Sequence, residues 1–383
     1  MKKQYRNNRI DIIIPAYKAQ GTILRTLSSI ACQSILADLD VTIVNDCCPH
    51  GDYAEFVNMF SPYMNIQEIR MPENGGPGLA RQYGIDNTVN QYFTCIDADD
   101  TFAGALALET LRAGIQLNPT IQCCVGSFSE LHENLQIVPH QNDMVWMFGK
   151  IYKREFIDKY GVRFNDTRAN EDTGFNTLVR LLCSNSQDEI VHWIGENVYY
   201  WHEKMDSITR INDCQYAFDQ SFCGWTDNMI YAIQTAKRIQ PFNGNIDQWT
   251  LECMMQLYGY YIETVARNPV FADQNWEYVK KFYHTCYKRI EANVTDDMMA
   301  FAYSTVMQGK HAGGSMLGIV PCIGVREFME KLTAEPYDPE AIYDVWGKLP
   351  PELVANNEAC GVCRVGYTRR DSKINNNGEE RTA

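Results

Sequence analysis

The sequence predicts an α/β domain with a mainly parallel central sheet, followed by an all-helical region. Three observations carry that expectation. Between residues 9 and 128, short apolar runs alternate with amphipathic stretches at helical spacing, the pattern of successive βα units. The run Ile12-Ile13-Ile14 is apolar without alternation, as in strands covered on both faces. Beyond residue 214 the strand signals stop, and Trp, Tyr, Met and Leu recur at helical spacing as far as 310. A chain of 383 residues is long enough for one large domain and a smaller second one. The expected division is 1–210, then a helical region 211–345, then an extended tail 346–383 whose end is polar and disordered. With 45% hydrophobic and 12% aromatic residues, the chain can fill a core. Its formal charge of −14 argues against a surface specialised for nucleic-acid backbone, although a local basic cleft could survive that average.

Residues 9–17 (RIDIIIPAY) open with an apolar strand closed by Pro15. A helix over 19–34 follows, with Ile23, Leu24, Leu27, Ile30 and Ala31 on one face. Val41–Val44 is a second buried strand ending at Asn45-Asp46. This β-α-β order implies parallel strands and a right-handed crossover. A helix over 52–63 and a strand Ile66–Met71 come next. Glu73-Asn74-Gly75-Gly76-Pro77-Gly78 then opens a helix over 78–89. Glycines at a helix start let backbone N–H groups approach a ligand, and the helix end favours an anion. A loop beside a nucleotide diphosphate is one reading; an ordinary tight turn is the other. After a fourth strand at 92–96, a helix over 104–117 and a strand Ile121–Phe128 are expected. The pattern then becomes mixed: Met144–Phe148 strand-like, Arg154–Tyr160 a helical turn, Thr173–Leu182 a helix, and Glu189–Trp201 a strand around a turn at Gly195-Glu196. Helices over 215–238, 247–266, 274–292 and 296–308 complete the pattern, followed by a Gly-rich loop over 311–324. Their aromatic and Met stripes read as helix-packing core.

The stretch that organises the chain is Tyr92-Phe-Thr-Cys-Ile-Asp97-Ala-Asp99-Asp100. A buried strand ends there in three carboxylates within four positions, which repel unless a cation neutralises them. Oxygen ligands at a strand end suit Mg²⁺ or Mn²⁺, an ion that brings substrate phosphates as further ligands. The plainer reading is a solvated turn with Asp100 or Thr101 capping the next helix.

Fourteen cysteines accompany an N-terminus, MKKQYRNNRID, without an apolar leader core, and nothing approaches a membrane-spanning run. Cys32, Cys95, Cys183 and Cys253 fall in apolar-periodic segments and read as small core residues of a protein of the reducing cytoplasm. The doublets Cys47-Cys48 and Cys123-Cys124 and the pair Cys360 and Cys363 lack the second paired motif of a zinc site.

Four stretches stand in one order: IIIPAYKAQGTILRTLSSIACQS at 12–34, VTIVNDCCPHGD at 41–52, ENGGPGLARQYGID at 73–86 and YFTCIDADD at 92–100. Two follow, FNDTRANEDTGF at 164–175 and VYYWHEKMDSITR at 198–210. Together they resemble the family 2 glycosyltransferases of the GT-A fold, a Rossmann-like architecture, over about residues 9–210. The resemblance implies a metal-dependent, inverting transfer of a sugar from a UDP-sugar. It would place Pro15, Ala16 and Tyr17 around the base, with Asp46 accepting from uracil or ribose. Asn74 and Gly75 would lie in the nucleotide loop, with Arg81 near the base or diphosphate. Asp97 would hold ribose or a metal water, and Asp99 would ligate Mn²⁺ or Mg²⁺, with His202 as a further ligand. Asp172 would be the catalytic base, with Glu171 as its alternative. Trp146 and Lys150 match a family segment bordering the acceptor; core packing and a solvated lysine are the plainer reading of the pair. The acceptor would be a glycan or cell-envelope hydroxyl, or a hydroxymethylated base in DNA, and a non-catalytic nucleotide-sugar binder is the competing class. Where the family has Asp-Asp-Gly-Ser, this chain has Asn45-Asp46-Cys47-Cys48, which stiffens the turn.

Overall fold

The computed structural model describes residues 4–339 except 168, 185–187, 204–214, 268–271, 313–315 and 317. The tail, the Cys360/Cys363 pair and the segment 205–210 therefore lie outside the described residues. The chain divides into two compact units, at 1–204 and 205–383.

In the first unit the elements run β1 (Arg6–Ala16), α1 (Ile23–Ala31), β2 (Leu39–Asn45), α2 (Ala54–Phe60), β3 (Asn65–Arg70), α3 (Gly76–Asp86), β4 (Asn90–Cys95), β5 (Thr101–Phe102), α4 (Ala107–Gln116), β6 (Ile121–Leu131), β7 (Ile137–His140), β8 (Lys150–Lys153), α5 (Arg154–Tyr160), α6 (Glu171–Cys183) and β9 (Ile190–His202). One sheet holds all the strands in the order β3-β2-β1-β4-β8-β6-β9-β5, with β7 paired to β6. The first four strands are parallel, and β8 joins β4 antiparallel. The run Ile12-Ile13-Ile14 is fully buried at the centre. On one face α3 packs so closely that a Cβ on Gly84 would lie 2.4 Å from Ile13 Cγ2.

Three local expectations are corrected. Residues 144–148 form turns, not a strand, because side chains take up their backbone groups. Asp143 Oδ1 accepts from the Val145 and Trp146 amides, and Asn176 Nδ2 donates to the Val145 and Trp146 carbonyls. The Gly195-Glu196 pair makes no turn: β9 runs through it and takes up the irregularity as a register shift against β6, between Val125 and Ser127. Cys32 is exposed just beyond the end of α1, whereas Cys95, Cys183 and Cys253 are buried. The apolar strand at the centre also carries a charge. Asp11 is 2% exposed in β1 and pairs with Arg154 Nη2 at 2.8 Å while accepting from Asn90.

The second unit contains, among its described residues, α7 (Gln215–Ile239), α8 (Gly244–Arg267), α9 (Ala272–Thr285), α10 (Asp296–Ala312) and α11 (Val325–Ala334). Its core holds Met254, Leu257, Tyr258, Ile262, Phe282 and Phe328, so its aromatic and Met stripes are packing surfaces. Among the described residues no helix is long and apolar enough to cross a membrane.

Candidate active site

The carboxyl ends of β1, β2 and β4 and the start of α6 bring most of the expected residues together. At the tip of β1, Ala16 is buried and Tyr17 is exposed, with Lys18 Nζ 5.4 Å from its ring centre.

Asp46, after β2, is 3% exposed and turned into the fold. Its Oδ1 accepts from Gly75 N at 2.7 Å, and its Oδ2 accepts from Gly76 N at 2.8 Å and from Asn74 Nδ2 at 3.0 Å. The amides at the start of α3 are bound to the chain's own carboxylate, which supplies the negative charge a helix N-terminus favours. Asp46, Asn74 and Gly75 thus build one hydrogen-bonded loop. Cys47 adopts φ +54°, the left-handed conformation that the stiffened turn demands.

Arg81 holds two elements together. It is 4% exposed and spans two acids: Nη2 donates to Asp97 Oδ1 at 2.7 Å, and Nη1 donates to Glu171 Oε1 at 2.6 Å. Burial works against its charge, but the two carboxylates outweigh it and hold the guanidinium pKa well above its usual range. One buried cation thus joins the tip of β4 to the first turn of α6. Glu171 is engaged in this bridge and 5% exposed, so it is poorly placed to take a proton from an acceptor.

Asp172, the next residue, is partly exposed and accepts from Thr173 N at 2.7 Å. Burial foremost, and then the charge of Glu171, push its carboxyl up to about 7, with Arg81 opposing. A carboxylate with that affinity for protons is suited to act as a base near neutrality.

The three acids after β4 separate. Asp97 and Asp99 are partly exposed, while Asp100 is 1% exposed. Asp100 Oδ2 accepts from Tyr199 Oη at 2.7 Å and its Oδ1 from His202 N at 2.8 Å. Burial, reinforced by Asp97 and Asp99, raises its pKa well above the carboxylate range. His202 stands over the far end of the same loop, its Nε2 3.0 Å from Thr101 Oγ1. Burial and then Arg25 lower its pKa, which favours the neutral ring that can ligate a metal. Among the described residues no three His, Cys, Asp or Glu side chains converge into a ready-made cation cage.

Trp146 is 40% exposed beside α6, whose Asn176 holds its loop. Lys150 is corrected: it is wholly buried and donates to the carbonyls of Trp146 and Phe148, bracing that loop from beneath. Burial lowers its pKa to about 8.

The family model described as "Glycosyl transferase family 2" matches residues 11–176, which span β1 to α6 and include Asp46, Arg81, Asp97, Asp99 and Asp172. Over that stretch the chain is similar to the family 2 glycosyltransferases. It is similar to the uncharacterized glycosyltransferase EpsJ of Bacillus subtilis, 25% identical over 227 residues, covering 53% of this chain and 63% of EpsJ. Glycosyltransferase GlyA of Streptococcus pneumoniae is 23% identical over 261 residues, covering 60% of this chain and 34% of GlyA. The chain thus spans less than two thirds of these curated relatives. Among solved structures, residues 1–349 of Staphylococcus aureus TarS in complex with UDP-GlcNAc share the fold, with a TM-score of 0.60 and 16% identity over 80% of this chain and 92% of that one.

Tyr199 and Asn176, which carried no role of their own in the motifs, also shape this region, and so does the crossing at Gly78. Gly78 is needed because α3 crosses α6 there. A Cβ would fall 2.4 Å from Glu171 Cγ and 2.9 Å from its Cβ. Gly78→Ala should therefore displace Glu171 and loosen the Arg81 bridge, with a loss of about 1–3 kcal/mol of stability from overpacking. Urea unfolding measures this; an unchanged midpoint would mean that the two helices part freely.

Proposed function

We propose that the domain moves a sugar from a UDP-sugar to an acceptor hydroxyl, with inversion at the anomeric carbon and with help from Mn²⁺ or Mg²⁺. The observation that supports this is the Arg81 bridge, which ties Asp97 at the tip of β4 to Glu171, the neighbour of Asp172, while Asp172 itself feels the charge of Asp97. The donor assignment is supported by the shared fold with TarS, which was solved with UDP-GlcNAc. Exposed Tyr17 would offer its ring to the base.

The residues fit a divalent cation. With Asp100 turned inward, Asp97 and Asp99 remain at the cleft, and a site of one or two carboxylates completed by substrate phosphates is how Mg²⁺ is ordinarily held. Asp99 would be the direct ligand, Asp97 would act through a water while held by Arg81, and His202 would stand as the further ligand. When bound, the ion would offset the charge that develops on the departing diphosphate. Asp172 would take the acceptor's proton as its oxygen attacks, and a single displacement of this kind inverts the centre. Trp146 would offer a face to the acceptor sugar or base. The reading places the protein in the cytoplasm.

The test is UDP release from a panel of UDP-sugars with and without Mn²⁺, with glycans and hydroxymethylated DNA as acceptors. Release that requires the metal and rises with one acceptor is expected. Failure of every donor to bind would overturn the reading.

A further inference from the structure

Tyr199 is fully buried in β9, and its hydroxyl lies at the back of the acidic loop. It accepts from Asp97 N at 3.3 Å and donates to Asp100 Oδ2 at 2.7 Å. The second oxygen of Asp100 is held by His202 N. One phenol therefore fixes both ends of the segment that carries Asp99, and Asp100 N closes the turn on Asp97 O at 3.1 Å.

The ring of Tyr199 points the other way along a column. It stacks on Phe148 with centroids 4.9 Å apart and planes 15° apart. Phe148 stacks in turn on Trp146, at 5.9 Å and 4°. Exposure falls steadily along the column, from 40% at Trp146 through 8% at Phe148 to 0% at Tyr199. Phe102 and Phe128 meet the column edge-on and leave it little room to tilt. A close-packed stack transmits a displacement because voids are few and each ring sits in one arrangement.

We propose that Tyr199 is a positioning residue for glycosyl transfer, coupling the exposed Trp146 ring through Phe148 to the Asp97–Asp100 loop. The inference rests on the proposed donor site at that loop. Loading the Trp146 face sets the column, and the column sets the two hydrogen bonds that aim Asp97 and Asp99. Tyr199→Phe keeps the stack and deletes both hydrogen bonds. Phe148→Leu keeps the hydroxyl and cuts the stack. The two variants thus interrupt one route at different points.

The experiment is calorimetric binding of UDP to wild type, Tyr199→Phe, Phe148→Leu and the double variant, each with and without Mn²⁺. Tyr199→Phe is expected to weaken UDP binding about 3- to 10-fold with Mn²⁺, the scale of one lost hydrogen bond, and to leave metal-free binding unchanged. Phe148→Leu should weaken the same metal-dependent part, and the double variant should be no weaker than the poorer single one. A loss of packing alone would lower the melting temperature without altering the ratio of the two affinities. Wild-type affinity in either single variant, or factors that multiply in the double variant, would overturn the coupling. If the wild type itself fails to bind UDP, the donor assignment falls, a result distinct from an unchanged variant. Should Tyr199→Phe fail to fold, Asp100→Asn takes its place, since it alters the same hydroxyl contact from the loop side, and the same outcomes decide.

Discussion

Asp172→Asn is expected to lower kcat by about 10²- to 10⁴-fold while UDP affinity with Mn²⁺ stays at the wild-type value. Asparagine keeps the shape and can still accept from Thr173 N, but it cannot take a proton. The wild-type profile gives a second reading. With the carboxyl pushed up to about 7, kcat/KM should fall about tenfold per unit of pH below that value and level off above it. Stability runs the opposite way. The folded state holds this proton more tightly than the unfolded chain, whose carboxyl titrates near ~3.9. The stabilisation is complete below that pH and is lost as pH rises through about 7. Asp172→Asn should therefore raise the melting temperature at pH 8 relative to wild type, with a smaller difference at pH 5. Turnover near the wild-type rate in Asp172→Asn would remove this residue from the reaction.

Asp99→Asn is expected to lower turnover by about 10³-fold or more and to remove the Mn²⁺-dependent part of UDP binding. Of the three acids in the loop, Asp100 is committed to Tyr199 and His202, and Asp97 to Arg81. Asp99 is partly exposed. Replacing it leaves the fold's own hydrogen bonds to Asp97 and Asp100 in place, so a changed affinity reports the cation and not the loop. Equal UDP affinity with Mn²⁺ in wild type and variant would refute the assignment.

The sheet was legible in the sequence, because hydrophobic period is a local property. The unalternating isoleucines announced a strand buried on two faces, and Tyr92–Ile96 announced a buried strand ending in acid. What was not legible is partnership over distance. Asp11 meets Arg154 across 143 residues, and Arg81 meets Glu171 across 90. Nothing in either neighbourhood shows that Arg81 would serve two acids instead of a phosphate, or that Lys150 would be sealed beneath a turn. The segment 144–148 looked like a strand because its residues are apolar. Its backbone is satisfied by the side chains of Asp143 and Asn176, which no periodicity records. Gly78 was visible as a glycine at a helix start, yet its reason is the crossing of a helix more than ninety residues further along.

The knot that Asp46 ties around Gly75 and Gly76 has a kinetic consequence. A glycine-rich segment left loose would have to freeze whenever a donor arrived, and binding would bear that entropy each time. Here the freezing is done during folding, so the segment is ordered before any ligand reaches it. Donor capture should then be fast, with any slow conformational step confined to the acidic loop at Asp97–Asp100.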